Sequence, residues 1–178
     1  MPNWCTNNLI VEGYDYLIDE FVDKNFEDGE LVFSKAVPEP KFEDPKQQQE
    51  YDKEGWYDWR RENWGTKWEP NYVSHEIEDI GSDIATPKKR LKIEFETPWC
   101  PPMIWYAEVV GQHKKLFFEL EYYEIGAEIE GRATGIEGIV ENYDWDMTNE
   151  RIAEIMGDTE YIGTDTEGEQ TNEGEGSN

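Results

Sequence analysis

The chain has 178 residues, and 42 acidic against 16 basic side chains give it a formal charge of −26. That length suits one ordinary domain, which buries about 70% of its unfolded surface and needs no metal or disulfide to hold it. The charge argues against long-range attraction to nucleic acid or anionic membrane and for basic partners, and the apolar runs are too short to span a bilayer. Residues 157–178 hold seven acids and no base, which leaves −19 on the remainder.

Eight Trp, ten Tyr and seven Phe predict a core rich in rings. Cys5 and Cys100 are the two cysteines. The opening Met1-Pro2-Asn3-Trp4-Cys5 lacks the basic and apolar regions of a leader, so the expectation is a cytoplasmic protein with reduced thiols.

In chain order, Asn7 to Gly13 reads as a strand, with Leu9 and Val11 facing one way and Asn8, Ile10 and Glu12 the other. Asp15 is placed to cap a helix carrying Leu17, Ile18, Phe21 and Val22 on one stripe. A turn at Asp28-Gly29 leads to a short strand, Glu30 to Ser34. Residues 36–89 break the rhythm with Pro38, Pro40, Pro45 and a Trp-dense patch, and read as a long insertion, partly helical around Gln47–Asn63. Leu91, Ile93, Phe95 and Thr97 then alternate with charged residues as a half-buried strand. Pro101-Pro102 suits a helix start, with Met103 to Val110 as the helix and His113 exposed beyond its end. Leu116 to Tyr123 is the clearest strand, Ala127 to Ala133 its hairpin return, and Gly138 to Tyr143 a further short strand. Thr148 caps a last helix, and the chain from Gly157 onward is too polar to order itself.

The fold class is therefore α+β. Two split β-α-β units form a ferredoxin-like sandwich with a long Trp-rich insertion, extra C-terminal strands and a disordered acidic tail. The boundaries are 1–145 for the domain, with the insertion at 36–89, then 146–156 for the C-terminal helix and 157–178 for the tail. "Ferredoxin-like" describes topology only, since two cysteines cannot hold an iron–sulfur cluster.

Four stretches carry a family resemblance: Met1-Pro2-Asn3-Trp4-Cys5-Thr6-Asn7, the run Trp56 to Trp68, Phe95-Glu96-Thr97-Pro98-Trp99-Cys100-Pro101-Pro102, and Tyr123-Glu124-Ile125-Gly126. Over roughly residues 1–131 the chain resembles the YubB-type ferredoxin-like domain family of phage and plasmid proteins. Members tend to have Ser where Cys100 stands. The resemblance implies a mobile-element accessory protein and supplies no reaction.

Two surfaces are candidate sites. Trp56, Tyr57, Trp59, Arg60, Asn63, Trp64, Lys67 and Trp68 form a net-positive aromatic stretch that would either anchor the insertion or line a ligand pocket. Glu12, Glu94, Glu96, Glu119, Glu121, Glu128 and Glu130 are expected on the sheet face opposite the apolar residues. Such a face excludes direct nucleic-acid binding there and suits mimicry of nucleic acid toward a basic protein.

No catalytic or metal signature is present. His75 and His113 stand apart from any motif, and Asn142, Asp144 and Asp146 lack the Gly and Glu of a calcium loop, so no cofactor is expected. Cys100, near a helix start, is either a thiol of lowered pKa or, as such cysteines more often are, a packed one with no base beside it. The leading expectation is a non-enzymatic binding protein that engages a basic host or mobile-element protein, with counter-defence as one version. The alternative is a small-molecule or nucleotide binder, or a hydrolase, at the Trp56–Trp68 pocket.

Overall fold

The computed structural model describes residues 2–81 and 85–157 and divides into two units, Met1–Asp146 and Met147–Asn178. The first unit begins with β1 (Trp4–Tyr14), whose Cys5, Asn7, Leu9 and Val11 are buried while the alternate residues are half-exposed. Helix α1 (Asp15–Asn25) buries Leu17, Ile18 and Phe21, the stripe expected from a 3.6-residue period. Next come a two-residue ribbon, β2 (Phe26–Glu27) with β3 (Glu30–Leu31), and the single turn α2 (Phe33–Ala36).

The Pro-rich stretch leads into α3 (Pro45–Glu50), capped by the Asp44 side chain on the Lys46 amide. A π-helical turn, Tyr51–Gly55, joins it to α4 (Trp56–Asn63). Strands β4 (Asn71–Asp79) and β5 (Lys88–Pro98) follow, then α5 (Met103–Gln112), β6 (Phe117–Glu124), β7 (Ile129–Ile136) and β8 (Ile139–Asp146).

One six-stranded sheet runs in the order β4-β5-β1-β6-β7-β8, antiparallel throughout. Strand β5 sits between β4 and β1, and β1 sits between β5 and β6. β1-α1-β4 and β5-α5-β6 are thus the two split β-α-β units, and β7 and β8 extend the sheet as a meander. The expected ferredoxin-like α+β sandwich is the fold observed.

Its second strand, however, is Asn71–Asp79 and not Glu30–Ser34. Of that range Glu30 and Leu31 alone pair as a strand, and Phe33 turns helical to bury its ring against Phe95 and Trp105. The range 36–89 therefore contains a sheet strand. Its signal was weak because β4 is an edge strand: Ser74, His75, Glu76 and Ile77 are all exposed, so no apolar face marks it. The hairpin return likewise spans Ile129–Ile136 rather than Ala127–Ala133, and the last strand runs to Asp146.

The core is as ring-rich as the composition predicts, with Phe21, Phe33, Phe95, Trp64, Trp105, Tyr106 and Phe118 all nearly inaccessible. Two glycines are fixed by close approach. A Cβ on Gly131 would lie 2.3 Å from the Tyr122 hydroxyl, and Gly65, at φ +83°, lies over the first amides of α5. Its neighbour Trp64 accepts a hydrogen bond from the Trp105 amide at 3.2 Å, which ties the Trp-rich segment to that helix.

In the second unit, α6 (Asn149–Met156) is capped by the Thr148 hydroxyl on the Arg151 amide and ended by Gly157 in the left-handed conformation. The tail expected at 157–178 lies, apart from Gly157, outside the described residues.

Candidate functional site

Strand alternation and register define the sheet face away from α1 and α5. The cross-strand rows run Glu78–Arg90–Glu12–Phe117, Glu76–Lys92–Ile10–Glu119 and Ser74–Glu94–Asn8–Glu121–Arg132–Tyr143. The next row is Glu96–Thr6–Tyr123–Glu130–Trp145. Six of the seven expected glutamates share this face. The seventh, Glu128, does not: it lies in the β6–β7 turn at φ +55°, because the strand starts one residue later.

The acids are not uniformly free. Arg90 holds Glu12 at 2.6 Å and reaches Glu78, while Lys92 bridges Glu76 at 3.0 Å and Glu78 at 2.5 Å. Arg132 opposes Glu121 in register but donates to Glu119. Trp145 Nε1 donates to Glu130 at 2.8 Å. The ion pairs are partly exposed and worth little in stability, but they offset charge at the Glu12, Glu76, Glu78 and Glu119 end of the face. Among the described residues Glu94, Glu96, Glu121 and Glu141 have no ion-pair or hydrogen-bond partner, and they leave the other end negative beside Tyr123, Tyr143 and Trp145.

The Trp-bearing stretch splits into two parts. Trp64 is wholly buried, donates from Nε1 to the Val37 carbonyl at 2.9 Å, and packs edge-on to Phe33 and Trp59. Asn63 donates to the Trp59 carbonyl. Arg60 stacks over Trp56 and Trp64 and binds Glu39. Partial burial alone would raise the Glu39 pKa, but the Arg60 and Tyr51 hydrogen bonds hold it below the usual carboxylate range. Trp59, Asn63, Trp64 and Arg60 are therefore anchors on the helical side, and of the eight expected residues Trp56, Arg60 and Trp68 line a cleft beside them.

The other part is a cage. The Lys67 ammonium lies 4.6 Å from the Trp68 ring centroid, 5.5 Å from Tyr57, 5.7 Å from Trp99 and 5.8 Å from Trp56. Trp68 touches Trp4 on one side and Trp99 on the other, with centroids 6.1 Å apart in both pairs.

A family model described as "Ferredoxin-like domain in Api92-like protein" matches residues 63–166. The chain belongs to that family. Among solved structures, it is similar to protein api92 from Yersinia pseudotuberculosis, with a TM-score of 0.55 and 10% identity over 83% of this chain and 99% of that one. At that identity the likeness speaks to the fold alone. No curated protein matches.

In this Api92-like chain, Trp4 and Trp99 belong with the cage although residue spacing alone did not bring them to it. They come from the start of β1 and the loop after β5, two motif stretches brought together by the antiparallel register from Trp4↔Pro98 to Asn7↔Phe95 and by the Trp99 amide on the Asn3 carbonyl. Cys100 is no activated thiol: its Sγ donates to the Gly65 carbonyl at 3.2 Å, and burial pushes its pKa up. Burial does the same to Cys5. His113, expected to be exposed, is buried at the end of α5 against Phe21 and Asn25. Among the described residues no three His, Cys, Asp or Glu side chains converge as metal ligands would, and no helix is long and apolar enough to cross a membrane.

Proposed function

We propose that this protein is a non-enzymatic accessory protein of the YubB type, carried by phages or plasmids and acting in the cytoplasm. In this reading it engages a basic, nucleic-acid-binding protein through the sheet face opposite the helices. The observation that carries the reading is the set of unpartnered carboxylates on that face. Glu94 and Glu96 lie two residues apart on β5, about 6.7 Å by strand geometry, and Glu121 lies two strands away, about 10 Å. Carboxylates spread over a stiff sheet keep their spacing without further ordering cost, so a cationic groove built for phosphates can meet them electrostatically.

The packing of Trp64 against Phe33 keeps that anchor on the helical side rather than across these carboxylates. Tyr123, Tyr143 and Trp145 beside them supply the rigid aromatic area common at protein interfaces. Counter-defence by mimicry of nucleic acid is the version that fits such a partner.

The test is capture from host lysate by the whole chain and by a Glu94→Lys/Glu96→Lys/Glu121→Lys variant, at low and high salt. The variant is expected to lose the partner while keeping its fold, and wild-type capture is expected to fall steeply with salt. Capture that is indifferent to both changes sinks the reading.

A further inference from the structure

We propose that the Lys67 cage and the cleft beside it form a binding site for a mononucleotide, a planar base carrying one phosphate. The site abuts the end of the acidic sheet face, where Trp68 packs on Trp4 beside the Thr6–Glu96 row, but it does not rest on the function proposed for that face. The cleft has a volume of about 430 Å³ and is lined by Glu39, Tyr51, Asp52, Trp56, Arg60 and Trp68. That falls within the roughly 300–1,000 Å³ of small-molecule sites. Trp56 and Trp68 belong to both cleft and cage; Lys67 does not line the cleft but lies over those two rings, at 5.8 and 4.6 Å, so a phosphate would have to extend past them to meet its ammonium.

The charge chemistry selects the ligand. The sheet-face cations Arg90, Lys92 and Arg132 are each spent on carboxylates. Lys67, among the described residues, has no carboxylate within 4 Å and is held by π-faces alone. An ammonium so placed keeps its N–H donors for an incoming anion. Two of the surrounding rings are partly exposed, Tyr57 at 36% and Trp99 at 46%, and Arg61 adds a second cation over Tyr57 at 5.5 Å. Stacking on such rings accepts any base. Asp52, whose Oδ1 accepts from Gln48, keeps its second oxygen as an acceptor for amino or hydroxyl donors on the ligand.

The backbone is a second, independent sign. Trp99 sits at φ +66°, a region that is a genuine outlier for a bulky side chain. Prolines 98, 101 and 102 surround it. Strain of this kind persists where the fold over-determines it and clusters at ligand sites. Here it holds an indole against Lys67 and Trp68 rather than in the core. A long polyanion would meet the repulsion of the net −26 charge, whereas a single phosphate beside Lys67 lies mostly within one Debye length of its counter-charge.

The experiment titrates the whole chain with AMP, GMP, CMP and UMP, following Trp fluorescence and heat. Adenosine, inorganic phosphate and a single-stranded oligonucleotide are run in parallel. The expected result is saturable quenching by at least one mononucleotide, with affinity about tenfold weaker for the nucleoside without its phosphate. A loss of about tenfold or more is expected in Lys67→Ala, and again in Trp99→Gly as a second variant that tolerates the backbone. Three results overturn the proposal: no saturation by any mononucleotide at millimolar concentration, undiminished binding in Lys67→Ala, or binding of the oligonucleotide alone. None of these bears on lysate capture through Glu94, Glu96 and Glu121.

Discussion

Arg60 donates to one oxygen of Glu39 through both Nε, at 3.1 Å, and Nη2, at 2.6 Å, while the other oxygen accepts from the Tyr51 hydroxyl at 2.6 Å. Both charged side chains are only about one-fifth exposed, 22% and 23%. The pair therefore joins the segment before α3 to α4, and the guanidinium also fills the space between Trp56 and Trp64. Arg60→Ala strands a half-buried carboxylate and is expected to cost about 1–3 kcal/mol. Glu39→Gln keeps a hydrogen-bonding group and should cost less. Chemical denaturation of the two variants checks the order.

Gly131 is a steric requirement of Tyr122. The ring of Tyr122 crosses the site where a Cβ would stand, with its hydroxyl at 2.3 Å and Cζ at 2.4 Å, and the hydroxyl donates to Asn142 Oδ1 at 3.1 Å. Gly131→Ala must displace a buried ring and is expected to destabilise by about 1–3 kcal/mol. Tyr122→Leu opens that space, so the double variant should be more stable than the sum of the two single losses predicts. Additivity in the cycle would mean that the ring moves aside freely.

Trp99 makes the opposite case. An indole 46% exposed on a left-handed backbone brings little core burial to offset its strain. Trp99→Gly should change stability by less than about 1 kcal/mol, because relief of the backbone offsets the lost contact with Trp68. A loss of several kcal/mol on denaturation would make Trp99 a structural anchor like Trp64.

The two split β-α-β units were legible because their inner strands alternate cleanly: Leu9 and Val11 on β1, Leu91 to Thr97 on β5, and Phe118 to Tyr122 on β6 all bury every second residue. The edge strand β4 was not, since an edge exposed on both faces writes no period. The shared face of six glutamates followed from the same alternation, and Glu128 fell outside it because the strand begins at Ile129, two residues later than expected. Which glutamates are neutralised could not be read, because Arg132 passes over its register partner Glu121 for Glu119. The Trp cage was half legible. Trp56, Tyr57, Lys67 and Trp68 are close in sequence, while Trp4 and Trp99 arrive through long-range pairing.

The buried His113 makes stability depend on pH. Its Nε2 stands 3.4 Å from Asn25 Nδ2, and that amide nitrogen already donates to the Phe21 carbonyl at 2.8 Å. Nε2 must then be the acceptor, which requires a neutral imidazole, and a proton there would set donor against donor. The groups facing it are Phe21 and Asn25, with Lys24 and Glu20 as the nearby charges. Burial lowers its pKa below 6.5, Lys24 adds to the effect and Glu20 opposes it. The unfolded chain therefore binds the proton at higher pH than the folded one does. Stability is full above about 6.5 and falls as pH drops toward the lowered folded value, by at most about 1.4 kcal/mol per pH unit for one proton. Carboxylates titrating lower down add their own slope, so the comparison is with His113→Gln, whose neutral side chain titrates nowhere. Denaturation midpoints of the two proteins should diverge between about pH 8 and 5, with the wild type losing more. Parallel profiles would mean that His113 takes up its proton as readily in the folded protein as in the unfolded chain, with the Asn25 amide turned the other way.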